Sequence, residues 1–139
     1  MQRRHLLALP VLLLAACSSG LDNDSGLSKA ELEALQTRVY NTEHRVATFR
    51  SVLTILRNLG FVVVTSDPLR GSVTARREPG YVTRMTVTVE PSGAQMTMVR
   101  AVAGHDGDLI TDPEPYQVFF DALSKTLVLA PDQGGPLAP

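Results

Sequence analysis

Ten residues from Tyr81 to Glu90, YVTRMTVTVE, put Tyr81, Met85, Val87 and Val89 on alternate positions, with Arg84, Thr86 and Thr88 between them. A period of two fits a strand with one face buried. It does not fit a helix, whose apolar positions recur every three or four residues. The stretches around it read the same way. Phe61–Ser66 (FVVVTS) is rich in β-branched residues, Asp67-Pro68 opens a turn that Gly71 closes, and Ser72–Arg77 (SVTARR) alternates. Pro79-Gly80 breaks that run, and after Tyr81–Glu90 the turn Pro91-Ser92-Gly93 leads back through Ala94–Ala103 (AQMTMVRAVA). Connections this short join antiparallel neighbours, so the four runs predict a four-stranded antiparallel meander.

Two segments carry the helical period. Val46, Phe49, Leu53 and Leu56 form a stripe over Glu43–Leu59, with Thr42 as N-cap and Gly60 as C-cap. Asp112-Pro113 starts a second helix, whose stripe is Tyr116, Phe119, Phe120, Leu123 and Leu127 and which reaches about Leu129. Two amphipathic helices must bury their stripes, and one face of the sheet is the surface available. The expected class is α+β in two layers, with both helices on one face. Ser28 and Glu31 make a capping box before a short helical piece, Lys29–Leu35, and Gln36–Asn41 reads equally as its continuation or as a short edge strand.

If each hairpin turns through three residues, Arg77 faces Tyr81 and Glu90 faces Ala94. Val73, Ala75, Tyr81, Met85, Val87, Val89, Val99 and Ala101 then share the core face. The open face holds Ser72, Thr74, Arg76, Val82, Arg84, Thr86, Thr88, Met96, Met98, Arg100 and Val102, with Arg84 directly across from Arg100. Such a face reads either as a solvated sheet surface or as a docking surface. For docking, Arg84 and Arg100 would supply forked hydrogen bonds, and Met96 and Met98 adaptable apolar contact.

The N-terminus states an address. Arg3 and Arg4 precede an apolar run of eleven residues, Leu6–Ala16, which is too short to span a bilayer but has the length of an export signal. It ends in Leu14-Ala15-Ala16-Cys17, which resembles the lipobox of bacterial lipoproteins. The resemblance implies cleavage before Cys17 and diacylglycerol on its sulfur, usually with a third acyl chain on the new amino group. Two or more chains anchor stably where one is marginal. Ser18, in a Gram-negative host, implies passage to the outer membrane. An ordinary cleaved signal would leave Cys17, the single cysteine, unexplained. The expected organisation is a signal at 1–16, lipidated Cys17 with a tether to 35, one domain over 36–130 and a disordered tail over 131–139.

Removing the signal leaves room for one domain, and 44% hydrophobic residues suffice for a core without disulfides or metal. The formal net charge is −1, and loss of Arg3 and Arg4 makes the remainder more acidic, which argues against nucleic acid as a partner. No nucleophile–base set and no phosphate-binding glycine motif is present, so neither an enzyme nor a cofactor is expected. Gly104-His105-Asp106-Gly107-Asp108, with Asp112 nearby, lacks the spacing of a calcium loop and reads as a turn rather than a metal site.

From Arg38 to Leu129 the chain resembles a widespread group of small, largely uncharacterised proteobacterial lipoproteins. The resemblance is carried by Gln36-Thr37-Arg38, Val52-Leu53 through Leu59-Gly60-Phe61-Val62, Gly71-Ser72-Val73-Thr74-Ala75, Met85–Val89, and Asp112–Tyr116 with Phe119-Phe120. A shorter likeness, in the helix ending Leu59-Gly60-Phe61 and the hairpin with Asp67 and Gly71, is to the BamC-type lipoproteins of outer-membrane β-barrel assembly. Both resemblances imply a fold, helices on a curved sheet, and transfer no functional residues. The expected function is a non-catalytic, membrane-anchored envelope module that binds a protein partner on the periplasmic side of the outer membrane. The alternative is a carrier holding a lipid or other small ligand between sheet and helices.

Overall fold

The computed structural model describes residues 26–78 and 83–129. The signal, Cys17, the stretch up to residue 25, Tyr81, Val82 and the tail lie outside the described residues. The order is α1 (Lys29–Gln36), β1 (Thr37–Tyr40), α2 (Arg45–Asn58), β2 (Val62–Asp67), β3 (Ser72–Arg77), β4 (Thr83–Pro91), β5 (Thr97–His105), β6 (Asp108–Leu109) and α3 (Pro113–Leu129). The class is α+β as expected, but the described residues form three helices and a six-stranded antiparallel sheet instead of two and four. The sheet order is β1-β5-β4-β3-β2, with β6 also on β5. The meander β2–β5 is present. The outer edge of β5 is covered by β1, the edge-strand alternative for Gln36–Asn41, which pairs with Thr97–Arg100, and by β6, which was not expected, on Gly104-His105.

Local chemistry accounts for the element ends. Ser28 Oγ accepts from the Glu31 amide at 3.2 Å while a Glu31 carboxylate oxygen accepts from the Ser28 amide at 2.8 Å, the reciprocal capping box. Those bonds hold the Glu31 carboxyl below its ordinary range. The helix stops at Thr37, whose extended backbone begins β1, so Gln36–Asn41 divides between helix and edge strand. α1 packs on α3 and β5 and buries Leu32 and Gln36, so the folded unit begins at α1 rather than at residue 36. α2 starts two residues later than its sequence suggested. His44 is its N-cap, and Thr42 accepts instead from the His44 amide at 3.2 Å. Asp112 caps α3 as expected, accepting from the Glu114 amide at 2.9 Å.

The helices cover one face of the sheet. α3 packs against both α1 and α2, with α1 beside β1 and β5, and α2 beside β2 and β4. The expected face parity holds: Val73, Ala75, Met85, Val87, Val89, Val99 and Ala101 are all buried against Phe49, Val52, Leu56, Phe119, Phe120 and Leu123. Arg38 lies over the Phe120 ring at 5.1 Å and Arg77 over the Phe61 ring at 5.0 Å, covering the edges of this core. Tyr40 joins β1 to α3 through its hydroxyl, 3.1 Å from Ser124 Oγ, and its burial pushes the phenol pKa up.

Both registers differ from expectation. Arg77 faces Thr83 and Pro91 faces Thr97, so each hairpin connection has five residues instead of three. Pro91 extends β4, and Ser92–Met96 form the turn, closed by the Ser92 amide donating to the Met96 carbonyl at 2.8 Å. Adding two residues to a loop leaves parity unchanged, which is why the faces survive while the opposed partners change. On the free edge, β2 carries a bulge between Val63 and Thr65, with Val64 as the extra residue.

Tyr116 closes the gap in β5's edge between β1 and β6. It is fully buried, accepts from the Ala103 amide at 3.2 Å and donates to the Ile110 carbonyl at 2.6 Å. Tyr116→Phe preserves the ring packing but leaves that amide and carbonyl without their partner. We expect about 1–3 kcal/mol of destabilisation in chemical denaturation. Unchanged stability would mean that water replaces the hydroxyl.

Candidate functional site

The open face of the sheet is the surface that the helices leave uncovered. Arg76, Arg84 and Arg100 project from it, exposed, between half-buried Thr74, Thr86, Thr88, Met98 and Val102. The expected Arg84–Arg100 pair does not form. Arg100 stands between Thr88 of β4 and Thr37 of β1, while Arg84 stands between Gly104 of β5 and Arg76 of β3. Four residues along the strands and one strand across put the two expected partners about 14 Å apart. The cause is the longer β4–β5 turn. The like-charge pair on this face is Arg84–Arg76, and Arg76 is matched by Glu78 in an ion pair. Among the described residues, neither Arg84 nor Arg100 has an ion pair or hydrogen bond.

The methionines separate. Met98 lies on the open face between Glu90 and Val39. Met96, at 47% exposure, is in the turn before β5 and belongs to neither strand row. Val39, exposed at 51%, extends the apolar stripe of Met98 onto β1, a contribution that the ambiguous Gln36–Asn41 reading had left unplaced.

A cleft of about 540 Å³ opens on this face beside Arg84, lined by Arg84, Thr86, Val102, Gly104, Asp106 and Leu109. One wall is the β5–β6 hairpin. His105 pairs with Asp108, and the two loop residues Asp106 and Gly107 have φ of 48° and 96°, the combination of a type I′ turn. The Asp-Gly dipeptide that carries this turn lies in the segment whose sequence reads as a turn. The floor of the cleft is low because Gly104, directly opposite Arg84, has no side chain.

Three of the ligand-type residues of this loop are otherwise engaged. His105 Nε2 is 3.2 Å from Asp106 Oδ2, and Asp112 caps α3. Among the described residues no group of three or more His, Cys, Asp or Glu is placed to hold a metal ion, and no helix is long and apolar enough to cross a membrane.

Between sheet and helices the large fillers Phe49, Tyr116, Phe119 and Phe120 are buried. At the end of that layer lies a pocket of about 270 Å³, lined by Leu59, Phe61, Met85, Pro115 and Val118 with Arg77, Thr83 and Glu114. No protein-family model matches the chain, and no curated protein matches it at a significant level.

Proposed function

We propose that this chain is a membrane-anchored envelope lipoprotein of the small proteobacterial kind, held by lipid on Cys17, and that it acts without catalysis by binding a protein partner through its open sheet face on the periplasmic side of the outer membrane. The anchor is supported by the sequence alone: two arginines, an apolar run and Leu14–Cys17 in the required order. The docking role is carried by one observation. Among the described residues, a six-stranded sheet buries one face under three helices and leaves the other uncovered, with arginines lacking partners beside Met98, Val102 and exposed Val39. Interfaces are enriched in arginine and methionine, and a monomer gains nothing in stability from placing Arg84 across from Arg76. The carrier reading needs a large cavity between the layers, a space that aromatic side chains fill.

Two measurements test this. Labelled fatty acid should enter the wild-type chain and not Cys17→Ser, and wild type without label overturns the anchor. A photo-crosslinking residue at Thr88, on the open face, should trap a discrete protein partner in cells, while one at Thr54, exposed on α2, should not. Equal trapping from both sites overturns the docking role.

A further inference from the structure

Arg84 and Gly104 are directly opposed on neighbouring strands, so their Cα atoms are about 5 Å apart. Gly104 also faces Leu109 of β6, exposed at 46%, on its other side. Across four strands the row therefore runs Leu109, Gly104, Arg84, Arg76: an apolar wall, a missing side chain, a guanidinium without a partner among the described residues, and a second guanidinium held by Glu78. Val102, two residues before Gly104 on the same face, and Thr86 complete the hollow. Asp106 and Asp108 also line the cleft, but Asp106 is held by His105 Nε2 at 3.2 Å, and Asp108 pairs with His105, so it alternates to the face opposite Gly104 and Leu109. On the open face the two arginines share the Glu78 carboxylate, so an incoming anion at Arg84 relieves repulsion as well as forming hydrogen bonds.

An occupant must bring a carboxylate and an apolar group within a few ångströms of each other. The last residue of a polypeptide does this in one unit, since its α-carboxylate and side chain leave the same Cα. An acidic side chain carries its charge at the far end of its own stem, and its strand neighbours point to the opposite face. We propose that the cleft over Gly104 is a socket for the C-terminal residue of the partner protein, with its carboxylate on the Arg84 guanidinium and its aliphatic side chain in the hollow between Val102 and Leu109. The inference deepens the docking role proposed above and rests on it.

The test uses the full chain in detergent micelles and follows the methyl resonances of Val102 and Leu109 by NMR during titration with N-acetyl-leucine. The expected result is a saturable shift of both. It should weaken about tenfold or more when N-acetyl-leucinamide replaces the acid, and likewise for Arg84→Gln with the acid. Arg50→Gln, on the outer side of α2, should titrate like wild type. The amide arm needs no protein variant, so a fold defect in Arg84→Gln leaves the question answerable. N-acetyl-glycine should bind more weakly, and equal binding overturns the role of the hollow. N-acetyl-glutamic acid α-amide, with its carboxylate on the side chain alone, overturns the C-terminal assignment if it binds as well as N-acetyl-leucine. Crosslinking from Thr88 without any N-acetyl-leucine shift overturns the socket and leaves the docking role standing, whereas loss of both overturns both.

Discussion

Gly71→Ala should destabilise the domain by about 3 kcal/mol or more, a fall in melting temperature of the order of 15 °C for a domain of this size. Two effects combine. Gly71 has φ of 70°, a conformation that L side chains rarely adopt, and a Cβ there would lie 2.3 Å from the Val89 carbonyl oxygen and 3.2 Å from an Arg45 guanidinium nitrogen. The close approach has a cause, because the Val89 amide donates to the Gly71 carbonyl at 2.7 Å and ties the β2–β3 turn to β4. Asp67 sets the turn up by accepting from the amides of Leu69 and Arg70, both at 3.1 Å, and Arg45 donates to the Leu69 carbonyl at 3.0 Å. Gly93→Ala separates the two effects. Its φ is 79°, yet nothing lies within 4 Å of its added Cβ, so it should show the conformational penalty alone, about 1 kcal/mol. Thermal unfolding by circular dichroism compares them, and equal losses would show that the backbone at Gly71 has room to move.

Phe119→Ala should cost about 3–5 kcal/mol in urea denaturation. Phe119 is fully buried in the middle helix of the layer and meets Phe120 edge-to-face, with ring centroids 5.1 Å apart and planes at 71°. A domain of this length has about 5–15 kcal/mol in total, so the variant sits near the limit of folding. Val118→Ala, one residue away but 46% exposed, should stay within about 0.5 kcal/mol of wild type. A loss below about 1 kcal/mol for Phe119→Ala would mean that α3 collapses readily into the space.

What could be read from the sequence was whatever depends on a period. Alternation assigned Met85, Val87 and Val89 to the core and Arg84 and Thr86 to the open side, and those assignments hold whatever the loop lengths, provided they change by even numbers. Pairing partners depend on where a turn begins and ends. Pro91 and Gly93 both look like turn residues, yet Pro91 completes β4 and only Gly93 turns, so Arg84 meets Gly104 and not Arg100. β1 was harder still. Thr37–Tyr40 is four residues long and its partner begins at Thr97, so its identity as a strand is decided by distant chain and not by local pattern. The cleft was half legible: an Asp-Gly turn and a glycine in an alternating run are both local signals, but their position beside Arg84 follows from the true register.

The bulge at Val64 bears on what this protein does in company. Among the described residues β2 is the free edge of the sheet, and Val62 and Val64 on it are 69% and 53% exposed. Three consecutive valines on an edge strand are the composition that templates cross-β stacking. On the proposed membrane anchor, copies of this chain would meet in two dimensions, where encounters are frequent and edges arrive already aligned. The extra residue breaks the even spacing of outward amides and carbonyls and twists the strand away, so a second copy finds no flat ladder to extend. In that setting the irregularity works as an insulator: it lets the domain be crowded on a surface without becoming a seed.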